Sequence, residues 1–269
     1  MNGPQPVRLS IVTVCWNDLE NVQRTMSSLN RQTERHGWEH VLIDGASSDG
    51  TADWYRSAHF DFPHHALSEP DDGLFDAMNK SLDVVKGDYV VFMNAGDTYA
   101  DDGAVRRVLH RIQTNPPWGY SRARVVDNSG RKVRPHVGRI PYSRTMHLLG
   151  RATICHQAVV MRTDLLRDLK GFDKRLGTAA DYHLLIRAAL RQVPDTWAEV
   201  DVDFLAGGVS DSGIYEHLWN RHRARVDALA LKSVGSRVDS AWTALQVVRI
   251  WARKKLKPIF GPLYLRLRK

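Results

Sequence analysis

The sequence predicts an α/β fold: a Rossmann-like, mostly parallel central sheet flanked by helices, with a helical extension at the C-terminal end. Three observations carry this. Short apolar, β-branched runs alternate with stretches of helical spacing through residues 9–112. Polar and acidic residues follow each run, where an open parallel sheet exposes the ends of its strands. The chain has 269 residues, 43% of them hydrophobic, enough for one large domain or two intimate halves with a real core.

Leu9 to Cys15 (LSIVTVC) reads as a buried parallel strand, and Asn17 as a cap for the helix after it. In that helix Leu19, Val22, Met26 and Leu29 recur at helical spacing. His40 to Ile43 is a second strand ending at Asp44, with a small-residue turn, Gly45 to Gly50, behind it. Ala66 and Leu67 mark a short third strand. Leu74 to Val85 reads as one helix, and Tyr89 to Met93 (YVVFM) as a central strand. Val105, Val108, Leu109 and Ile112 mark the helix that completes a βαβαβαβα order. Beyond it, Arg122 to Asp127 and Lys132 to Arg134 form a hairpin around Asn128-Ser129-Gly130. Ala158 to Met161 and Trp197 to Leu205 read as strands, and Asp181 to Gln192 as a helix. From Ile214 the pattern is helical until Pro258.

Composition narrows the class. Charged residues make up 25%, which is not a disordered composition. The two cysteines, Cys15 and Cys155, make no disulfide framework and fit a reducing compartment. The N-terminus lacks the apolar core of a signal peptide. No apolar run reaches the length of about 18 residues that a transmembrane helix needs. Net charge is +8, yet 249–269 hold eight Lys/Arg and no acid, so 1–248 carry as many basic as acidic groups. A nucleic-acid binder would spread its basic charge differently, so no nucleic-acid partner is expected.

The strand ends hold the chemistry. Trp16-Asn17-Asp18 follow the first strand, Asp44-Gly45 and Ser47-Ser48-Asp49 the second, Glu69-Pro70-Asp71-Asp72 the third, and Asn94-Ala95-Gly96-Asp97 the fourth. No G-x-G-x-x-G follows the first strand and no G-x-x-x-x-G-K-[ST] occurs, against dinucleotide and P-loop folds. A diphosphate held without a glycine-rich cradle calls for a divalent cation on carboxylate oxygen, Mn²⁺ or Mg²⁺, with Asp97 as the natural ligand.

LSIVTVCWND, VLIDGASSDGT, SEPDDGLFDAMNKSL and GDYVVFMNAGD, in that order, resemble the family 2 glycosyltransferases of the GT-A fold. HQAVVMRTDLLRDLKGFDKRLGTAADYHLLIRA extends the likeness, which covers residues 8–210. It is nearest to small bacterial members that build exopolysaccharides, O-antigens and glycolipids. The resemblance implies 1–210 as the catalytic domain, 8–100 its nucleotide-sugar half and 101–210 its acceptor half. The remaining 211–269 form the basic helical extension.

It also implies roles. Thr13, Cys15 and Asn17 line the nucleotide pocket; Asp44 bonds the base, with Ser47 in the same turn. Asp72, Ala77, Asn79 and Lys80 close over the nucleoside and sugar, beside Asn94 and Ala95. Asp97 is the last acid of the metal-binding D-x-D-type motif, and Asn94 stands where many members carry Asp. His217 is the candidate for a histidine that the family often supplies to the metal. Asp181 matches the second acid of a Glu-Asp pair whose first is Ala180 here. It would be the general base of an inverting displacement, with His156 and Gln157 bordering the acceptor or sugar.

Each residue also has a plainer role. Asp44 and Asp181 could cap helices, Asp97 could serve a turn, and Lys80 and His217 could be solvated charges. His156 could be a satisfied half-buried histidine, and Trp16 and Phe75 could pack. Four acidic strand ends in a row favour the functional reading.

The tail from Ala241 mixes Trp242, Leu245, Val248, Ile250 and Trp251 with Arg253, Lys254, Lys255 and Lys257. After Pro258 come Ile259, Phe260, Leu263, Tyr264, Leu265 and Leu267. That composition suits an anionic leaflet, and the alternative is a helix packed on its own domain. The expectation is a peripheral enzyme at the cytoplasmic face of the cell membrane, bound through 241–269. Its substrates would be a nucleotide-sugar donor and a glycan or lipid-linked acceptor. Two other classes compete. A nucleotidyltransferase usually carries a Gly-rich basic loop where this chain has Cys15-Trp16-Asn17-Asp18, and an inactive relative has no need of Asp97 and Asp181.

Overall fold

The computed structural model describes residues 6–207 and 213–266, with side chains other than those of Pro135 and 253–266. The first half alternates β1 (Leu9–Cys15), α1 (Leu19–Asn30), β2 (Trp38–Asp44), α2 (Thr51–Ser57), β3 (His64–Ser68), α3 (Leu74–Lys80), β4 (Tyr89–Phe92), β5 (Thr98–Tyr99) and α4 (Ala104–Arg111). The second half holds β6 (Trp118–Val126), β7 (Lys132–Val137), α5 (Arg144–Leu148), β8 (Val159–Arg162), α6 (Thr163–Asp168), α7 (Ala180–Arg191) and β9 (Asp195–Leu205). Two helices follow, α8 (Ile214–Ala228) and α9 (Ser233–Arg266).

One sheet runs in the order β3-β2-β1-β4-β8-β6-β9-β5, with β7 added to β6. β1 to β4 are parallel to one another. β8 then lies antiparallel to both β4 and β6, while β9 is parallel to β6. The parallel half is the one whose strands are joined by crossover helices.

β1, β2 and β4 are buried along their whole length because helices cover both faces. Alternate side chains go to alternate faces. Ile11, Leu42 and Val91 meet Val22 and Met26 of α1 and Val105 of α4. Val12, Ile43 and Phe92 meet Met78 of α3 and Leu184 of α7 on the other side. Close approach fixes one corner: a Cβ on Gly87 would lie 2.5 Å from the Ser10 backbone nitrogen.

The register aligns the strand ends. Cys15 pairs with Asp44, and Asp44 with Ser68, so three polar termini lie side by side.

Four details differ from the sequence reading. α3 stops at Lys80 and a 3₁₀ turn, Ser81–Asp83, replaces its last turn. There the Ser81 hydroxyl donates to Met78 O at 2.6 Å and competes with the helical ladder. The cap position of α1 is Asp18, because Asn17 takes a left-handed backbone at φ 48°. The helical tail is two helices, parted at Ala230 by a left-handed C-cap in which Leu231 N–H donates to Val226 O and Ala230 N–H to Asp227 O. The backbone of α9 stays helical past Pro258 to Arg266.

Candidate active site

The loops after β1 and β2 are stitched together. Asn17 N–H donates to Ser47 Oγ at 2.7 Å, and Ser48 N–H donates to Asn17 Oδ1 at 2.8 Å. Asp49 accepts Leu19 N–H and the Thr51 hydroxyl, which ties the starts of α1 and α2 to one carboxylate. Beneath them Asp44 is fully buried. Its Oδ2 accepts Ser47 N–H (3.1 Å) and the Ser68 hydroxyl (2.5 Å), and Cys15 Sγ lies 3.5 Å from Oδ1. Burial, then the neighbouring Asp44 carboxylate, pushes the Cys15 thiol up, so it is a neutral donor.

Thr13 lies deeper, its hydroxyl 2.9 Å from His40 Nε2 and closed to a ligand. Gly45 is buried at the floor. Asp71 Oδ2 and the Trp16 ring stand over it, 2.6 Å and 3.3 Å from where a Cβ would be, and Trp16 is 69% exposed. An exposed indole and a carboxylate over a glycine leave a face on which a flat ring could stack and bond.

The wall after β3 is built of ion pairs. Lys80 Nζ reaches Glu69 at 2.7 Å and Pro70 O at 2.6 Å. Lys174 Nζ bridges Asp72 (2.7 Å) and Asp76 (2.8 Å). Asp76 is held below the usual carboxylate range by Asp72 N–H and then by Lys174. Ala77 is buried in the core. Asn79 uses its amide on Phe172, donating to its carbonyl and accepting its N–H, each at 2.8 Å. Neither side chain is presented to the cleft; both hold the wall in place.

After β4, the turn Asn94 to Asp97 closes by Asp97 N–H to Asn94 O, with Gly96 at φ 91°. Thr25 of α1 pins it, donating to Asp97 O and accepting Gly96 N–H. Ala95 packs on the core. Asp97 is 3% exposed; its Oδ1 accepts Leu205 N–H and its Oδ2 accepts Gln157 Nε2–H, both at 2.8 Å. Burial pushes the Asp97 carboxyl up to about 6, against the pull of those two donors.

His156 and Gln157 sit in a 3₁₀ turn before β8 and face two acids. Gln157 serves Asp97. His156 Nδ1 lies 3.4 Å from Asp181 Oδ2, and its Nε2 lies 3.3 Å from Asn94 Nδ2. Asp181, in the first turn of α7, keeps 24% of its side chain open. Burial pushes its carboxyl up, but His156 and Tyr182 N–H outweigh that and hold it below the usual range. His217 of α8 faces the same acid and bonds Thr178 Oγ1 at 3.0 Å.

The fold thus brings Asn94, Asp97, His156, Gln157 and Asp181 into one array. It places Cys15, Asn17, Asp44 and Ser47 in another along the same strand ends. Asp71, Lys174 and Ser68 join the site without having been singled out from the sequence. Only Asp71 had a signal, its place in the acidic run after β3; Lys174 and Ser68 arrive through pairing. The family resemblance also implies that the run Gly207-Gly208-Val209-Ser210 lies near this site; 208–210 lie outside the described residues.

A divalent cation can be tested against these groups. Among the described residues no set of three His, Cys, Asp or Glu is placed to hold one. Asp97, however, is a buried carboxylate without an ion pair among the described residues. A hard cation that keeps waters and binds through one carboxylate plus substrate phosphates fits that donor.

The sequence profile described as Glycosyl transferase family 2 matches residues 10–169. The uncharacterized glycosyltransferase MT1564 of Mycobacterium tuberculosis is 32% identical over 205 residues, 75% of this chain and 76% of that one. A PGL/p-HBAD biosynthesis glycosyltransferase of Mycobacterium bovis is 27% identical over 180 residues, 66% of this chain and 68% of its own. Among solved structures, Staphylococcus aureus TarS 1-349 in complex with UDP has a TM-score of 0.63 at 18% identity, over 94% of this chain and 75% of that one. The mannosyltransferase PcManGT of Pyrobaculum calidifontis, in complex with GDP-Man and Mn²⁺, has a TM-score of 0.59 at 19% identity, over 84% and 66%.

Proposed function

The chain belongs to glycosyl transferase family 2 and has the GT-A fold, and from that we propose that it is an inverting enzyme of cell-envelope assembly. It moves a sugar from a nucleoside-diphosphate sugar to a hydroxyl of a glycan or lipid-linked acceptor. The observation that carries the reading is the pair His156–Gln157, which faces Asp181 on one side and Asp97 on the other.

Trp16, Gly45 and Asp71 take the base and ribose, beside the rim made by Asn17 and Ser47, which the buried Asp44 supports from below. Asp181 accepts the proton of the acceptor hydroxyl as its oxygen bonds the anomeric carbon. The bond to the diphosphate breaks with its electron pair leaving on the nucleotide, and one displacement from the opposite face inverts the centre. Asp97 would hold Mn²⁺ or Mg²⁺, which would supply positive charge for the leaving diphosphate. Residues 8–100 serve the donor, and 101–210 the acceptor.

The extension 211–269 places the enzyme on an anionic membrane. Support comes from α9: Val234, Val238, Leu245, Val248 and Trp251 are exposed. The only acid in 233–269, Asp239, turns inward to Arg225 and His222. No helix among the described residues is long and apolar enough to cross a membrane, so contact would be peripheral. The basic side chains from Arg253 onward lie outside the described ones.

Asp181→Asn should abolish transfer, by about 10²-fold or more, while UDP or GDP binding by calorimetry stays near wild type. Transfer that survives would place the base elsewhere. Turnover of UDP- and GDP-sugars with and without Mn²⁺ identifies the donor and tests the metal.

A further inference from the structure

We propose that His156 is a positioning residue whose Nδ1–H faces Asp181 and keeps that carboxylate aimed, with Asn94 steadying the far side of the ring. This rests on reading Asp181 as the general base.

The geometry points one way. The ring stands between two groups: Asn94 Nδ2 is 3.3 Å from Nε2, and Asp181 Oδ2 is 3.4 Å from Nδ1. A carboxylate oxygen facing Nδ1 calls for a ring hydrogen there; the Asn94 amide, whose Oδ1 is buried without a hydrogen-bond partner among the described residues, can meet Nε2 with either end. The opposite neutral tautomer would turn the Nδ1 lone pair against a carboxylate oxygen, which is repulsive. Catalytic contacts of this length commonly shorten when substrate is bound.

The need for such a partner is visible around Asp181. Behind it lies a small apolar cavity walled by Phe92, Phe172, Leu184 and Leu185, which His156 and Asp181 also line. Such walls favour the protonated acid. The preceding position, where an acid often stands in the resembling family, is Ala180, and it is buried in the core. Polar help therefore comes from other elements. His147 on α5 lies within electrostatic reach, but burial and then the Arg221 cation keep it far below its usual range, at about 4. Burial and then Arg221 likewise lower His217 on α8. Cys155 beside the site is an un-ionised thiol, raised by burial and then by Asp97. Tyr182 N–H donates to Asp181 Oδ1 at 2.6 Å. That leaves Oδ2 with His156 alone among the hydrogen bonds and ion pairs of the described residues, which separates it from a general packing histidine.

The test has two arms. Long-range ¹H–¹⁵N spectra of the metal-free protein near neutral pH report the ring tautomer directly, with His156→Asn identifying the signal. The expected spectrum has hydrogen on Nδ1, and Asn94→Ala should loosen the ring and broaden that signal. A ring with no hydrogen on Nδ1 overturns the proposal. In the second arm the acid limb of the turnover profile is followed. His156→Leu should move it upward by about one pH unit or more. His156→Asn, whose amide nitrogen stands in for Nδ1, should restore it. An unmoved limb in His156→Leu also overturns the proposal. The first arm needs no substrate. A failure of Asp181 as base, seen as transfer surviving in Asp181→Asn, is therefore told apart from a failure of His156.

Discussion

Asp97 joins the end of β4 to the rest of the site, with both oxygens accepting hydrogen bonds and burial raising its carboxyl to about 6. A carboxyl raised on folding binds its proton more tightly in the native state. Its contribution to stability is full below the ordinary value of 3.8 and is lost as pH rises through about 6. That loss is roughly 3 kcal/mol for the metal-free protein. Thermal midpoints measured across that window should fall more steeply in wild type than in Asp97→Asn, and Mn²⁺ should reverse the fall in wild type only. Equal slopes would mean that Asp97 is solvated as an ordinary acid. At this scale the acids were readable from sequence, because Asp44, Asp97 and Asp181 sit at predictable element ends. The buried roles of Thr13, Ala77 and Asn79 were not. Thr13 is matched with His40 of β2 and Asn79 with Phe172, 93 residues on, and no local pattern shows such a partner.

The elements of the first half follow their hydrophobic period closely, since β1, β2 and β4 are buried on both faces and bounded by polar ends. The C-terminal helices are different. Their division at Ala230 carries no glycine, the usual mark of a left-handed cap, so the periodicity runs through the break. What docks α9 is also invisible to periodicity. Arg225 of α8, 2% exposed, forks onto Asp239 at 2.7 and 2.9 Å and donates to Thr243 Oγ1 at 2.8 Å. His222 reaches the same carboxylate at 2.6 Å. Removing one partner of a buried pair strands the other charge, at a cost of about 3–5 kcal/mol. Asp239→Ala should therefore loosen α9 before the sheet unfolds. Faster cleavage between 229 and 240 in limited proteolysis, with a lowered first thermal transition, would record it. Unchanged cleavage would mean that Trp242 Nε1–H on Leu149 O and the remaining packing suffice.

For the whole molecule, charge distribution and fold meet at α9. The chain carries +8, all of it accounted for by 249–269, while the catalytic body is balanced. Basic residues near an anionic leaflet contribute about 1 kcal/mol each and are screened by salt. Full-length protein should co-sediment with vesicles containing phosphatidylglycerol and not with neutral phosphatidylcholine vesicles, and added salt should weaken the binding. Leu245→Glu together with Val248→Glu should reduce it at least tenfold without lowering donor turnover. Binding that ignores lipid charge would oppose the membrane reading.

By itself the sequence determined the main strand–helix alternation of the first half, the acids at the strand ends and the basic tail. These are properties of neighbours along the chain: apolar period, turn residues and local charge. Only the tertiary structure decided that His156 and Gln157 stand between Asp181 and Asp97, that Asp71 and Trp16 frame Gly45, and that the lone acid of α9 faces inward. Each of these depends on contacts between segments tens of residues apart. Sheet register and helix packing set those contacts, because a slip of one residue inverts the faces of a strand and turns a helix by about 100°.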